Sequence, residues 1–193
     1  MAGAVRVDIE APLEVKNWRP LVNWLLAIPH LLIAGALRTL RGVLMLIAFF
    51  AILFTKKIPR AIFDMAVMTM RYDWRVSTYA LWMREAYPPF DFTPASDDRG
   101  GDPAALSIEY PEELNRWLPL VKWILAIPHF VVFALLLVAG IFVGFAAFFA
   151  VLFTGRYPAG MRTFIVGVNR YSTRLVAYVG FLRDEYPPFS LQP

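Results

Sequence analysis

Residues 123–154 read WILAIPHFVVFALLLVAGIFVGFAAFFAVLFT, and up to Phe153 the only strongly polar side chain among them is His129. The same text stands 99 residues earlier, at 24–55, as WLLAIPHLLIAGALRTLRGVLMLIAFFAILFT. The correspondence runs on without a gap in both directions. Trp18, Pro20, Leu21, Val22 and Trp24 return as Trp117, Pro119, Leu120, Val121 and Trp123, and Tyr87-Pro88-Pro89-Phe90 returns as Tyr186-Pro187-Pro188-Phe189. The chain is a tandem duplication, and each structural inference drawn on one copy can be checked on the other.

The composition puts this apolar text in a membrane. Of the 193 residues 59% are hydrophobic and 16% aromatic, the mean hydropathy is +0.53, and the formal net charge is +4. Soluble domains hold roughly 45–50% apolar residues. With no cysteine, a disulfide framework, iron–sulfur ligation and thiol catalysis are excluded. Met1-Ala2-Gly3-Ala4-Val5-Arg6 lacks the basic and apolar regions of a cleavable signal peptide, so the start is expected to be retained.

As one helix, a run of this length would extend about 46 Å, against a hydrocarbon layer about 30 Å thick. That is too long for one comfortable span and short for two. Two short segments with a turn near Arg38–Gly42 and near Ala139–Gly144 fit the length best, and Arg38 and Arg41 would be tolerated at a wet turn. The expected fold is an all-α integral membrane protein of two tandem repeats, each a transmembrane helical hairpin followed by an amphipathic interfacial helix, with four membrane helices in total. Repeat 1 occupies residues 1–93 (hairpin about 18–55, amphipathic helix about 60–86). A polar linker covers 94–107, and repeat 2 covers 108–193 (hairpin about 117–154, amphipathic helix about 159–185). Lys16, Arg19, Lys56, Lys57, Arg60, Arg116, Lys122 and Arg156 then lie on the side of the termini. The positive-inside rule places both termini in the cytoplasm, with the protein in the bacterial cytoplasmic membrane. The two copies insert with one polarity, about an axis along the membrane normal.

In the segment after the hairpin, Arg60, Asp64, Arg71, Arg75 and Thr78 share a narrow sector at 100° per residue. Arg71 with Arg75, and Arg170 with Arg174, are spaced i,i+4. Like charges so placed call for an anion or a carboxylate between them, and a lipid phosphate or a partner contact is the functional expectation. Trp18, Trp24, Trp117 and Trp123, with Tyr87, Phe90, Tyr186 and Phe189, are expected as interfacial anchors or docking residues. His30 and His129 are the two histidines, at equivalent positions. They are candidate haem ligands, weighed against a local role beside Pro29 and Pro128. No metal site and no required cofactor are expected.

The pattern Trp-x-Pro-Leu, Ile-Pro-His, Leu-Phe-Thr, Pro, Arg-Tyr-x-x-Arg, Tyr-Pro-Pro-Phe resembles a bacterial membrane-protein family catalogued as domain of unknown function 4389, present here twice. Lys56-Lys57 departs from the Gly155-Arg156 form that the family favours, and Arg38 and Arg41 interrupt a stretch usually apolar throughout. The resemblance implies the architecture and carries no activity to transfer.

Gly-rich phosphate loops, metal-spaced His/Asp/Glu clusters and nucleophile–base pairs are missing from the sequence, so no enzyme is expected. The apolar runs hold no Asp or Glu, which disfavours ion-coupled transport. The expected function is an accessory or scaffold subunit of a larger membrane complex. A membrane-organising, curvature-generating hairpin protein with reticulon-like physics is the first alternative, and a small haem- or lipid-binding membrane module the second. The expected partners are anionic lipid headgroups and other membrane subunits, with no nucleic acid.

Overall fold

A computed structural model describes residues 5–98 and 100–193. Residues 1–4, on which the expectation of a retained start rests, lie outside the described residues. Among the described residues each repeat contributes one strand and three helices. In order these are β1 (Val5–Ile9), α1 (Arg19–Leu26), α2 (Ile28–Thr55), α3 (Arg60–Ala80), β2 (Ala104–Ile108), α4 (Leu118–Leu125), α5 (Ile127–Thr154) and α6 (Ala159–Val179).

The expected turn inside the apolar run is corrected. α2 continues through Arg38–Gly42 and α5 through Ala139–Gly144, each for 28 residues, or about 42 Å. Nothing in either stretch breaks a helix: Gly42, Gly140 and Gly144 cost about 1 kcal/mol each relative to alanine, which tertiary packing offsets. The run breaks instead at Ala27 and Ala126, just before Pro29 and Pro128, each of which sits in the first turn of its long helix. There a missing N–H costs nothing. The chain turns at the Leu-Phe-Thr end. Thr55 Oγ1 donates to the Ala51 carbonyl and Thr154 Oγ1 to that of Ala150, and each hydroxyl accepts from the N–H two residues on. The next residue closes the helix in the left-handed region, at φ 60° for Lys56 and 66° for Gly155. Pro59 and Pro158 then start α3 and α6. The hairpins are therefore α2 with α3 and α5 with α6, in place of a hairpin within each apolar run. Among the described residues two helices, α2 and α5, are long and apolar enough to cross a membrane.

The amphipathic helices are not peripheral either. On α3, Thr69, Tyr72, Asp73 and Val76 face α2, while Arg60, Arg71, Trp74 and Arg75 point the opposite way, into a layer made of β1, β2 and the Asp-rich segment before β2. A helix sandwiched between two layers is buried on both faces; the interfacial placement expected for it fails because its arginine stripe meets protein. The segment 94–103, read as a linker, forms part of this polar layer, with Ser96 buried and Asp98 and Asp102 nearly so.

β1 and β2 pair antiparallel, with Val7 opposite Leu106. These two residues are counterparts in the repeat, so an approximate twofold passes between them. The lead-in segments are exchanged about it. Val15 N–H donates to the Gly155 carbonyl and Leu114 N–H to that of Lys56. Lys16 N–H reaches Glu85 and Asn115 N–H reaches Asp184. The turn of each hairpin thus lies beside the open end of the other, and the hairpins run antiparallel. The basic residues assigned to one side on sequence grounds divide between two ends, Lys56, Lys57 and Arg116 at one, Lys16, Arg19 and Arg156 at the other. The molecule has three layers: the sheet and acidic segment, then α3 and α6, then the apolar α2 and α5 with their short companions α1 and α4.

Candidate functional site

The features preserved in both copies converge on one construction, built twice. His30 enters the protein because Pro29 starts α2 there, and its Nδ1 lies 2.6 Å from the Tyr72 hydroxyl of α3. After α3 the chain reverses at Trp82, in the left-handed region at φ 47°. The Tyr-Pro-Pro-Phe segment then returns over the histidine. Phe90 stacks on the imidazole at 4.2 Å between centroids and Tyr87 leans against it at 4.6 Å. Tyr87 also donates its hydroxyl to the Leu26 carbonyl, at 3.2 Å, one of the acceptors left at the end of α1. The second copy repeats this within a tenth of an ångström. His129 meets Tyr171 at 2.7 Å, Phe189 at 4.1 Å and Tyr186 at 4.6 Å, and Tyr186 donates to Leu125 at 3.2 Å.

Both imidazoles are 0% exposed, and both Nε2 atoms are buried without a hydrogen-bond partner. Each ring is enclosed by aromatics of its own repeat, so a haem held by both histidines would have to open both boxes. The arrangement ties a kinked helix start, a buried tyrosine and the chain end into one joint. Tyr87, Phe90, Tyr186 and Phe189 keep an outer edge exposed beside Trp18, Trp24, Trp117 and Trp123, all of them on the apolar surface. The anchor positions are therefore surface aromatics, and four of them also close the histidine boxes.

The arginine pairs are placed differently from expectation. Arg71 and Arg75 are 4% and 3% exposed. Arg71 donates to the carbonyls of Leu106, Ala95 and Asp97, at 2.6–3.1 Å, and stands 3.6 Å from Asp98. Arg75 bridges Asp91 at 3.0 Å and Asp98 at 3.1 Å. Asp91 also accepts the Thr93 N–H at 3.0 Å. The Thr93 backbone and hydroxyl, with the Arg75 guanidinium beside them, hold Asp91 down to about 2. Arg84, buried, pairs with Asp102. In the second copy Arg170 binds Asp8 and the Val7 carbonyl, and Arg174 donates to the carbonyls of Ser190 and Gln192. Where a lipid-phosphate or partner contact was expected of these four, each donates to protein acceptors of the polar layer.

Three sets of residues escaped the sequence reading. Tyr72 and Tyr171 carry the histidines; their identity in both copies, one residue after the shared arginine, was the available signal. Lys122, placed with the basic residues on the side of the termini, is 1% exposed, 2.8 Å from Asp184 and 4.9 Å from the Tyr178 ring. Its counterpart is Asn23, so the repeat gave no warning. Arg38 and Arg41 pair with Asp73 at 3.0 and 3.1 Å, a contact between helices that local text does not display. Among the described residues no group of three or more His, Cys, Asp or Glu is placed to hold a metal ion.

The family model described as domain of unknown function, DUF4389, matches residues 17–91 and again 117–190. The chain belongs to that family, as a tandem duplication. No curated protein and no solved structure matches it.

Proposed function

We propose that this tandem DUF4389 protein is a non-catalytic membrane-organising module whose apolar layer lies in the plane of one leaflet. The polar layer then faces the cytoplasm. One observation carries the reading: the polar and apolar layers cover opposite faces of α3 and α6. Ser96 takes Arg60, Ala95 and Leu106 take Arg71, and Asp102 takes Arg84, so the acidic segment and β2 cover one face of α3, a helix about 30 Å long. That is the full hydrocarbon thickness. If α2 stood across the bilayer, Asp-rich irregular backbone would stand at the same depth on the far side of α3, with its exposed polar groups facing lipid that offers no partner. Laid flat, the molecule keeps that layer in water and immerses Leu32, Val43, Leu46, Phe54, Ile141, Phe142, Phe145 and Phe153, all exposed.

The in-plane placement also reconciles the charges. With antiparallel hairpins spanning, basic clusters would stand on both sides; lying flat, Lys16, Lys56, Lys57, Arg116 and Arg156 share one, as the positive-inside rule requires. The twofold becomes parallel to the membrane normal. Volume added to one leaflet bends it. Reconstituted at rising protein-to-lipid ratio, the protein should tubulate or shrink vesicles seen by electron cryomicroscopy, and vesicles of unchanged diameter at high density would overturn the reading.

The accessory-subunit reading is favoured by a ridge on one hairpin. Phe145, Phe149 and Phe153 line up along α5, with centroids 5.0 and 6.2 Å apart, where α2 carries Leu46, Phe50 and Phe54. A stoichiometric partner recovered from native membranes, and lost on Phe145→Ala with Phe149→Ala, would establish it.

A further inference from the structure

α2 carries two charges, Arg38 and Arg41, and α5 carries none; Leu137 and Gly140 stand at the equivalent positions. Both guanidiniums reach Asp73 on α3, whose counterpart is Ser172. Arg41 and Asp73 are largely withdrawn from solvent, with side chains 16% and 18% exposed. The Arg38 side chain is 53% exposed, so two guanidiniums against one carboxylate leave a surplus positive charge at the surface of the apolar layer, where beside lipid an uncompensated charge is costly.

The surplus sits at a cleft with two chambers. The polar one, about 230 Å³, is lined by Met70, Asp73, Trp74 and Ser77 of α3 and by Asn169, Ser172, Thr173 and Val176 of α6. Those two sets are counterparts, so this chamber lies on the twofold. The apolar one, about 430 Å³, runs between α2, α5 and α6 past Met45, Phe133, Leu175 and Val179. Arg38, Arg41, Ser172 and Val176 line both chambers. A charged end, a hydroxyl beside it and an apolar channel leading towards the apolar face match an amphiphile with a single negative charge.

We infer that the cleft holds one monoanionic phospholipid, its phosphodiester on Arg38 and Arg41 and an acyl chain in the apolar chamber. Guanidinium–phosphate contacts are charge-assisted and directional, and one negative charge balances the surplus. The second copy lacks the arginines and the carboxylate, so the duplicated molecule carries one site. The inference rests on the membrane placement proposed above.

The test compares lipid carried through detergent purification, counted by mass spectrometry after delivery from vesicles of equal phosphatidylglycerol and phosphatidylcholine. Wild type should retain about one phosphatidylglycerol per chain, and Arg38→Gln with Arg41→Gln should retain about tenfold less or lower. Val179→Trp, which fills the apolar chamber and leaves the charges, should lose it as well, and stands in if the double variant fails to fold. Asp73→Asn should hold the lipid at least as well as wild type. Equal retention by wild type and the filled-chamber variant, no preference for phosphatidylglycerol, or displacement by millimolar inorganic phosphate alone would each overturn the site. Flotation with vesicles is scored in parallel. Wild type that fails to float would refute the membrane placement, while flotation without lipid retention refutes this site alone.

Discussion

The two repeats share one scaffold and neutralise it by different means. In the first, the arginines of α3 and of the turn after it meet carboxylates: Arg75 meets Asp91 and Asp98, and Arg84 meets Asp102. In the second, Arg174 meets the backbone carbonyls of Ser190 and Gln192, Arg170 takes Asp8 from the exchanged strand, and Arg183, the counterpart of Arg84, takes the exposed Glu185. The histidine boxes, by contrast, agree almost atom for atom. What duplication has preserved is the joint between helix start, tyrosine and returning chain, while the charge partners follow from whichever segment comes next along the chain. The joint is intrinsic to each repeat, and the neutralisation is circumstantial.

The largest test of that difference is to remove the matched arginines. Arg75→Met leaves Asp98, only 8% exposed, with the more distant Arg71 alone, and takes the arginine from Asp91; it should cost roughly 3 kcal/mol. Arg174→Met strands carbonyls alone and should cost roughly 1–3 kcal/mol. Denaturant unfolding in one detergent measures both, and equal losses would break the comparison.

The helix ends differ next. Gly155 holds φ 66°, and a Cβ there would meet Asn17 Oδ1 at 2.6 Å. Gly155→Ala should therefore lose about 2 kcal/mol, combining left-handed strain with the clash. Lys56 holds φ 60° without that freedom, so Lys56→Gly should gain up to about 1 kcal/mol. Opposite signs in thermal midpoint sharpen the contrast; a loss at both sites would contradict it.

Where the copies agree, substitutions should agree too. Tyr72→Phe and Tyr171→Phe each remove one hydrogen bond to a buried histidine, at a cost of about 1–2 kcal/mol. A difference between them larger than about 0.5 kcal/mol would show that the boxes are not equivalent.

The smallest effect is on pH dependence. Asp91 titrates at about 2 in the folded chain and near 3.9 when unfolded. A lowered folded value means its contribution is complete above pH ~4 and is lost as pH falls towards 2. Ser190, its counterpart, does not titrate. Asp91→Asn should flatten stability over that window, measured as unfolding midpoint against pH, and an unchanged acid slope would exclude Asp91 as its source.

Much of this was written in the sequence. The repeat gave the number of units, the Pro-His break, the Phe-Thr end and the aromatics that close each box. Hairpin placement was misread because length alone was weighed. Gly155 followed by Pro158 is a helix stop, and Gly42 within an apolar run is not, since glycine ends a helix only where the chain takes the left-handed turn. The inward stripe of Arg71 and Arg75 was legible as a stripe but not as inward. Its partners, Asp91, Asp98 and Asp102, lie in a segment whose composition marks a loop, and composition does not reveal what a loop covers. The exchange of β1 and β2 between repeats could not be read either, because a five-residue strand carries no address.

The central claim is that the apolar layer lies flat in one leaflet. The chain has no cysteine, so Lys57→Cys and Arg156→Cys each introduce a unique thiol at opposite ends of the helix pair. Labelling with a membrane-impermeant maleimide in sealed vesicles of known orientation reads the side on which each thiol stands. The account predicts that both react from the cytoplasmic side. Reaction from opposite sides would show that α2 and α5 span the bilayer and would contradict it.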